Sequence, residues 1–318
     1  MTSMVDATAK ADPKHIMVND LTFAYPGRAP VLKNLNMSLT NGARCLLIGA
    51  NGAGKSTLLR ILAGRHMTKA DENGQDSVQV LGRNAFHDTR LNFERSYLDT
   101  DWGMRTVAFA GYGCPLQADI AVSAMMVKLQ EEYPERRDEL IKLLGIDPNW
   151  RMHQVSDGQR RRVQIFIGLI RPFKILLLDE VTTSLDVVVR MDLLRYLKKE
   201  SEERGATILY ATHIFDGLDD WPTHVHYLND QGATGWQGLL GDLDILKDLR
   251  AKGETSPILR IDEHWLRGEL AAKEQVGEQE KASGPAMIAE LDPLQKSNNQ
   301  GGGFSNGRMA AYDFVANP

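Results

Sequence analysis

The glycine-rich stretch at residues 49–57, Gly-Ala-Asn-Gly-Ala-Gly-Lys-Ser-Thr, constrains this chain more than any other part of it. It fits the pattern G-x-x-x-x-G-K-[ST], in which a loop and the helix after it surround a phosphate chain. The motif needs a strand before it and a helix after it, and the apolar run at 45–48 and the helical pattern at 55–63 supply them. The sequence therefore predicts a phosphate-binding loop rather than a flexible turn.

Each residue type in this loop has a physical role. Gly49, Gly52 and Gly54 let backbone N–H groups turn towards the phosphates, and the helix that follows adds the positive end of its dipole. Lys55 is expected to reach the outer phosphates and to act in catalysis, and the Ser56 hydroxyl is expected to bind Mg²⁺. The other loop residues predicted to contact the nucleotide are Asn51, Ala53 and Thr57.

A second site feature follows the apolar run at 175–178, which is typical of a strand buried on both faces of a parallel sheet. Asp179 and Glu180 come at its carboxyl end, where open α/β sheets bind their ligands. A solvated strand end is the alternative interpretation of such a pair. Together with the phosphate-binding loop, however, the pair predicts that Asp179 holds Mg²⁺ through water and that Glu180 polarises the attacking water.

The composition is that of an ordinary globular protein, with 42% hydrophobic and 25% charged residues among 318. The formal net charge of −5 gives no chain-wide basic surface, so it does not favour nucleic acid or an anionic membrane as a partner. Cys45 and Cys114 lack metal-ligand spacing and are interpreted as small core residues in a reducing compartment.

The chain carries no obvious targeting segment. Residues 1–14 are polar, which predicts a disordered lead rather than a secretory signal. No run approaches the roughly 20 apolar residues that a membrane helix needs. We therefore expect a protein of the cytoplasm, or of cytoplasm and nucleus, without membrane insertion.

The pattern of elements predicts an α/β fold with a mixed sheet core and an N-terminal antiparallel β part. The main domain is expected at 15–241, with a helical subdomain inserted at about 111–156. An extension at 242–318 follows, with an amphipathic helix at about 258–275 and a flexible polar segment at about 277–307. The apolar residues assigned to one face of that helix are Ile258, Ile261, Trp265, Leu266 and Leu270.

Residues 16–241 resemble the nucleotide-binding domain of ABC ATPases. Residues 155–159, Val-Ser-Asp-Gly-Gln, are similar to the signature motif of that family, and Ser-Leu-Asp at 184–186 is similar to its D-loop. His213 matches the switch histidine, and Tyr25 matches the aromatic residue that stacks on adenine, although an aromatic side chain in a strand is also a common core residue. Signature-motif and D-loop residues to which the resemblance assigns nucleotide contacts are Ser156, Gly158, Gln159 and Asp186.

The resemblance implies that two such domains pair head to tail, as a homodimer or with another ABC domain. Each ATP would then lie between the phosphate-binding loop of one domain and the signature motif of the other. Ser156 and the helix after it would offer donors and a dipole to the γ-phosphate across the interface. His213 would contact the γ-phosphate and hold the attacking water in line.

Three features depart from the family pattern or leave it open. Asp157 stands where the signature motif usually has a glycine, which adds a carboxylate near a phosphate. The glutamine loop, which supplies a metal contact, has Gln117 as one candidate, while residues 97–102 occupy the other plausible place without a glutamine. The arginines at 160–162 are interpreted as a solvated helix face rather than a ligand site, although they border the expected interface.

Longer phrases at 150–153, 179–182 and 211–218 resemble the soluble eukaryotic ABC proteins of the I subfamily. That group includes the ABC protein associated with the carbon catabolite repressor and NOT complex, which implies a role in transcription and mRNA deadenylation.

The first hypothesis is thus an ATP-switched regulator of a protein complex. The alternative is a transporter ATPase subunit that recruits a separate permease. A nucleic-acid-handling ATPase fits less well, because no long coiled-coil insertion interrupts the domain.

Overall fold

The computed structural model describes residues 13–69, 76–100, 107–109, 112–114 and 119–282. In chain order, the strands of this part are β1 (Lys14–Ala24), β2 (Pro30–Thr40), β3 (Arg44–Ile48), β4 (Val78–Val80), β5 (Arg83–Asn84), β6 (Arg95–Leu98), β7 (Val107–Phe109), β8 (Tyr112–Cys114), β9 (Ile175–Asp179), β10 (Thr207–Ala211), β11 (His224–Leu228) and β12 (Thr234–Leu239). The helices are α1 (Lys55–Leu62), α2 (Val127–Glu132), α3 (Pro134–Leu144), α4 (Asp157–Ile170), α5 (Val187–Arg204), α6 (Asp244–Ala251) and α7 (Pro257–Ala282). Residues 1–12, Gln117 and the segment after 282 lie outside the described residues.

The N-terminal part is an antiparallel sheet in the order β2-β1-β4-β5. Leu35, Met37 and Leu39 alternate with exposed residues along β2, as expected for a strand with one buried face. They pack with the apolar face of α1, which includes Leu58 and Leu62. This sheet therefore covers the helix that follows the phosphate-binding loop.

The central sheet has the order β12-β11-β3-β10-β9-β6, and its strands are parallel except for β12. Every residue of β3, β9 and β10 is buried. In β3, Cys45 and Leu47 belong to the core shared with the N-terminal sheet, whereas Leu46 and Ile48 face the core on the other side. Burial on both faces explains why these strands lack polar alternation in the sequence. Their carboxyl ends meet at one edge, where the site forms.

The predicted helical region begins later than expected. Residues 107–114 contain the antiparallel pair β7 and β8, in which Val107 lies opposite Cys114. Gly111 and Gly113 disfavour a helix here, since glycine is a poor helix former. The helices α2 and α3 cover much of 127–144 and α4 follows at Asp157, so the prediction of a helical pattern from 111 onward is wrong at its start.

Helix α7 begins close to the predicted position and ends later than predicted. It extends to Ala282 rather than ending at 275, so it includes the first six residues of the segment 277–307 that was predicted to be flexible. Residues 278–282, Glu-Gln-Glu-Lys-Ala, are good helix formers, and one glycine at 277 does not outweigh them. The chain divides into two compact units at 269/270, and Ile258 and Ile261 belong to the core of the first. In the part of the chain that the structure describes, no helix has the length and apolar composition to cross a bilayer.

Candidate functional site

The phosphate-binding loop connects β3 to α1, and its backbone requires glycine for two separate reasons. Gly49, Gly52 and Gly54 have φ of 152°, 86° and 103°, a region that side chains disfavour. In addition, a Cβ atom on Gly49 would lie 2.2 Å from the carbonyl oxygen of Leu228. One on Gly54 would lie 2.7 Å from Leu32 Cδ2. Strain and close packing together fix the loop.

Lys55, the first residue of α1, folds back onto the loop. Its Nζ atom donates to the carbonyl oxygens of Gly49 at 2.5 Å and Ala50 at 3.1 Å. Burial lowers the pKa of Lys55, and the carboxylates of Glu180 and Asp262 oppose that shift. The ammonium group is thus held beside the loop, where phosphate oxygens can replace its carbonyl partners.

Asp179 ends β9 and is 4% exposed. The Ser56 hydroxyl donates to its Oδ1 atom at 3.0 Å, and the Tyr97 hydroxyl donates to Oδ2 at 3.4 Å. Burial raises the pKa of Asp179, and the hydrogen bond from Ser56 offsets part of that shift. A hydroxyl oxygen beside a buried carboxylate is the oxygen donor set that Mg²⁺ prefers, so these residues fit the predicted metal.

Glu180 has a strained backbone, with φ of 55°. Its N–H donates to the carbonyl oxygen of Ala211 at the end of β10, which holds the residue between two strand ends. Its Oε2 atom is buried and accepts no hydrogen bond from the described residues, although His213 Nδ1 lies 2.9 Å away. Glu180 and His213 therefore lie together, and the pair becomes an ion pair when the imidazole is protonated.

These residues enclose one cavity of about 210 Å³. It is lined by Val31, Asp179, Glu180 and the loop residues Ala50, Asn51, Gly52, Gly54, Lys55, Ser56 and Thr57. A larger cavity of about 400 Å³ lies beside α3, around Arg136 and Arg204, and lacks the glycine-rich backbone. The structure thus brings the predicted loop and the two carboxylates into a single site.

Tyr25 follows β1 and is half-buried. Its hydroxyl group lies 3.2 Å from Thr57 Oγ1, and its ring meets Phe23 and His66 edge-on at 5.3 and 5.4 Å between ring centroids. Tyr25 is therefore placed beside the phosphate-binding loop. Stacking on adenine remains a prediction.

The signature-motif residues form the start of α4. Ser156 caps the helix by accepting from the backbone N–H of Gln159 at 3.2 Å, and Gln159 Oε1 accepts from the N–H of Ser156 at 2.9 Å. A Cβ atom on Gly158 would lie 3.2 Å from the carbonyl oxygen of Ser184 in the predicted D-loop. The side chain of Asp157 is 94% exposed. None of the signature-motif residues lines the cavity of the phosphate-binding loop.

The predicted solvated face at 160–162 is wrong, because its arginines make contacts within the chain. Arg162 Nη2 lies 2.5 Å from Asp186 Oδ2. Asp186 also caps α5 by accepting from the N–H of Val189 at 3.0 Å, a hydrogen bond that lowers the pKa of Asp186. Arg161 donates to the carbonyl oxygen of Asp99 at 2.7 Å. The run therefore joins α4 to the predicted D-loop and to the chain after β6.

Two residues near the site were missed from the sequence. Tyr97 reaches Asp179 because β6 and β9 are neighbouring parallel strands, a pairing that sequence order does not reveal. The carboxylate of Asp262 on α7 opposes the lowering of the Lys55 pKa by burial. The sequence feature that could have indicated Asp262 is its position between Ile261 and Trp265, on an otherwise apolar helix face. Gln117, the other predicted metal contact, lies outside the described residues.

Comparison with known proteins places the chain in a family. The model of the ABC transporter family matches residues 32–183. ABC transporter I family member 20 of Arabidopsis thaliana is 47% identical over 312 residues, which cover 92% of this chain and 90% of the relative. The chain belongs to the ABC transporter family. The predicted ABC-type fold and ATPase class are confirmed, and this ABC ATPase binds and hydrolyses ATP.

The ABC ATPase is also similar to a yeast protein and to ABC proteins of known structure. CCR4-associated factor 16 of Saccharomyces cerevisiae is 38% identical over 245 residues, covering 74% of this chain and 80% of the relative. Among solved structures, the ATP-binding subunit of an ABC transporter has a TM-score of 0.61 at 20% identity and covers 78% of this chain and 98% of its own. A dimeric cassette in a post-hydrolysis state bound to ADP and Pi has a TM-score of 0.57 at 22% identity, covering 71% and 98%. The two solved structures support the fold.

Proposed function

We propose that this ABC ATPase is a nucleotide-driven switch on a protein complex in transcription or mRNA regulation. ATP and Mg²⁺ would be held between two copies of the chain, or between this chain and another ABC domain. The observation that carries the proposal is the separation of two half-sites. The cavity contains the phosphate-binding loop and two carboxylates, while the signature motif at the start of α4 does not line it.

The chemistry of each half supports a shared site. Lys55 would bind the outer phosphates, Ser56 and Asp179 would hold Mg²⁺, and Glu180 would polarise the attacking water, with His213 beside it. The start of α4, with Ser156 as its cap, would face the γ-phosphate of a partner.

Asp157 does not oppose this arrangement. Its side chain points to solvent, and Arg160 Nη1 lies 3.3 Å from it. The carboxylate also lies in the first turn of α4, where the helix dipole favours a negative charge. Its exposed side chain is free to turn away from an incoming phosphate, so hydrolysis is expected to remain intact.

The complex that we propose as partner is of the CCR4 and NOT type, in the cytoplasm and nucleus. The name of the yeast relative, CCR4-associated factor 16, supports it. The experiment is affinity purification of Glu180→Gln with ATP and Mg²⁺, compared with Lys55→Ala, which is expected to lose nucleotide. We expect deadenylase subunits to be enriched with Glu180→Gln. Equal recovery with both variants, or none, contradicts the proposal.

A transporter role is the second candidate, because an apolar groove lies beside the helical subdomain. A cavity of about 230 Å³ is lined by residues that include Phe93, Met126 and Phe173. Phe93 and Met126 are 65% and 53% exposed, which marks a surface suited to an apolar helix of another protein. Recovery of a membrane permease with the wild type, but not with Phe93→Ser, would favour this function over the first.

A further inference from the structure

The first half of α7 is fixed against the end of β11. Ile258 and Ile261 are each 1% exposed and belong to the core. The ring of Trp265 stacks on Tyr227, with centroids 4.4 Å apart and planes inclined by 20°. Glu269 accepts hydrogen bonds from the Tyr227 hydroxyl and, at 3.0 Å, from the N–H of Asp230. These contacts extend over three turns of the helix.

This docking brings α7 to the phosphate-binding loop. Tyr227, on which Trp265 stacks, pairs with Ile48 in the parallel ladder between β11 and β3. Ile48 directly precedes Gly49, whose backbone is packed against the carbonyl group of Leu228. The helix therefore lies over the strand end from which the loop starts.

The docked part of α7 carries an acidic residue, Asp262. It lies one turn before Trp265, on the docked face of α7. Its Oδ1 atom is buried and has no hydrogen-bond partner among the residues that the structure describes. Burial raises the pKa of Asp262 to about 6, and the opposing influence is the charge of Lys55. A buried carboxylate oxygen without a hydrogen bond is costly, which points to a role other than stability.

We propose that Asp262 is a positioning residue of the ATPase, which acts on the loop through its charge and lowers the affinity of the loop for phosphate. The carboxylate neutralises part of the positive charge that Lys55 offers to the phosphates. The carboxylate also repels the negatively charged phosphates, because charges interact more strongly at a partly buried site than in water. By linkage, nucleotide in the loop weakens the docking of α7 by the same factor. This inference goes beyond the proposed function, since it needs ATP binding but no particular protein complex.

The test is nucleotide affinity and steady-state kinetics of Asp262→Asn. We expect the Kd for a fluorescent ATP analogue with Mg²⁺, and the KM for ATP, to fall threefold or more, with kcat changed less than twofold. Glu263→Gln is the matched control, because it removes one carboxylate from the next position of α7, where Glu263 contacts Arg260 and Arg267. It should keep wild-type values, as should the conservative variant Asp262→Glu. A Kd for Asp262→Asn equal to that of Glu263→Gln overturns the proposal.

A second variant keeps the test decisive if Asp262→Asn folds poorly. Trp265→Leu removes the stacking on Tyr227 and should release Asp262 from the loop, so the Kd should fall in the same direction. The double variant should bind no more tightly than the tighter single variant, because both remove one effect. An unchanged Kd for Trp265→Leu, or additive effects, contradicts the proposal.

Discussion

At the scale of single residues, the phosphate-binding loop shows which glycines are needed for packing and which for backbone conformation. Gly49→Ala would place a Cβ atom 2.2 Å from the Leu228 carbonyl oxygen, whereas Gly52→Ala meets nothing within 4 Å. Both positions have positive φ, which costs an alanine about 1–2 kcal/mol. We expect Gly49→Ala to lower the free energy of unfolding by about 1–3 kcal/mol more than Gly52→Ala, measured in urea. Equal losses would show that the β11 contact is unimportant.

His226 in β11 supplies a pH prediction. It is 1% exposed, its Nδ1 atom lacks a partner among the described residues, and burial lowers its pKa to about 4. The folded state thus binds its proton less readily than the unfolded state, whose pKa is about 6.5. The stabilising contribution is complete above pH 6.5 and is lost as the pH falls towards 4.

The measurement is the unfolding free energy of wild type and His226→Gln at pH 8 and pH 5. Wild type should lose about 2 kcal/mol more than the variant between these values, because only wild type carries this histidine. Comparing the two proteins removes the contributions of other titrating groups. Parallel pH profiles would mean that His226 is protonated in the folded state.

The residues of the loop could be predicted because their motif is local, whereas Asp262 could not. Lys55 and Ser56 follow from a single stretch of sequence, and Asp179 and Glu180 follow from the end of a buried strand. The position of Asp262 depends on how α7 docks on Tyr227, more than 30 residues earlier in the chain. No local pattern encodes that contact.

At the scale of elements, α3 and α5 are joined by a buried ion pair. Arg136 donates to both carboxylate oxygens of Glu200, at 2.8 and 2.9 Å, and both side chains are about 5% exposed. Arg136→Met leaves the buried Glu200 carboxylate with only the half-exposed Arg204 as a charged partner and is expected to cost about 3–5 kcal/mol of unfolding free energy. Arg204→Met removes a half-exposed partner of the same carboxylate and should cost less than about 1 kcal/mol. Similar losses in urea unfolding would contradict the ranking.

Element types were more predictable than element ends. The strands β9 and β10 appear almost where their apolar runs lie, since burial on both faces dictates that composition. Strand β8 lies inside the region predicted to be helical, because short strands depend on pairing that a local pattern does not show. Helix α7 exceeds its predicted end because its last turns are polar but are still good helix formers.

At the scale of the whole molecule, one copy of the chain does not bring the phosphate-binding loop and the start of α4 together in one cavity. Glu180 and Lys55 line the cavity, and Ser156 at the start of α4 does not. Two copies placed head to tail would complete both sites. We therefore expect an ATP-bound dimer, which loss of hydrolysis should make long-lived.

The most direct test is sedimentation velocity of Glu180→Gln with ATP and Mg²⁺. The variant should sediment as a dimer with ATP and as a monomer with ADP, because hydrolysis no longer removes the γ-phosphate. Ser156→Arg in the same background should bind ATP and remain monomeric, since the signature face is blocked. A Glu180→Gln protein that binds ATP but stays monomeric at every concentration would contradict a site shared between two copies.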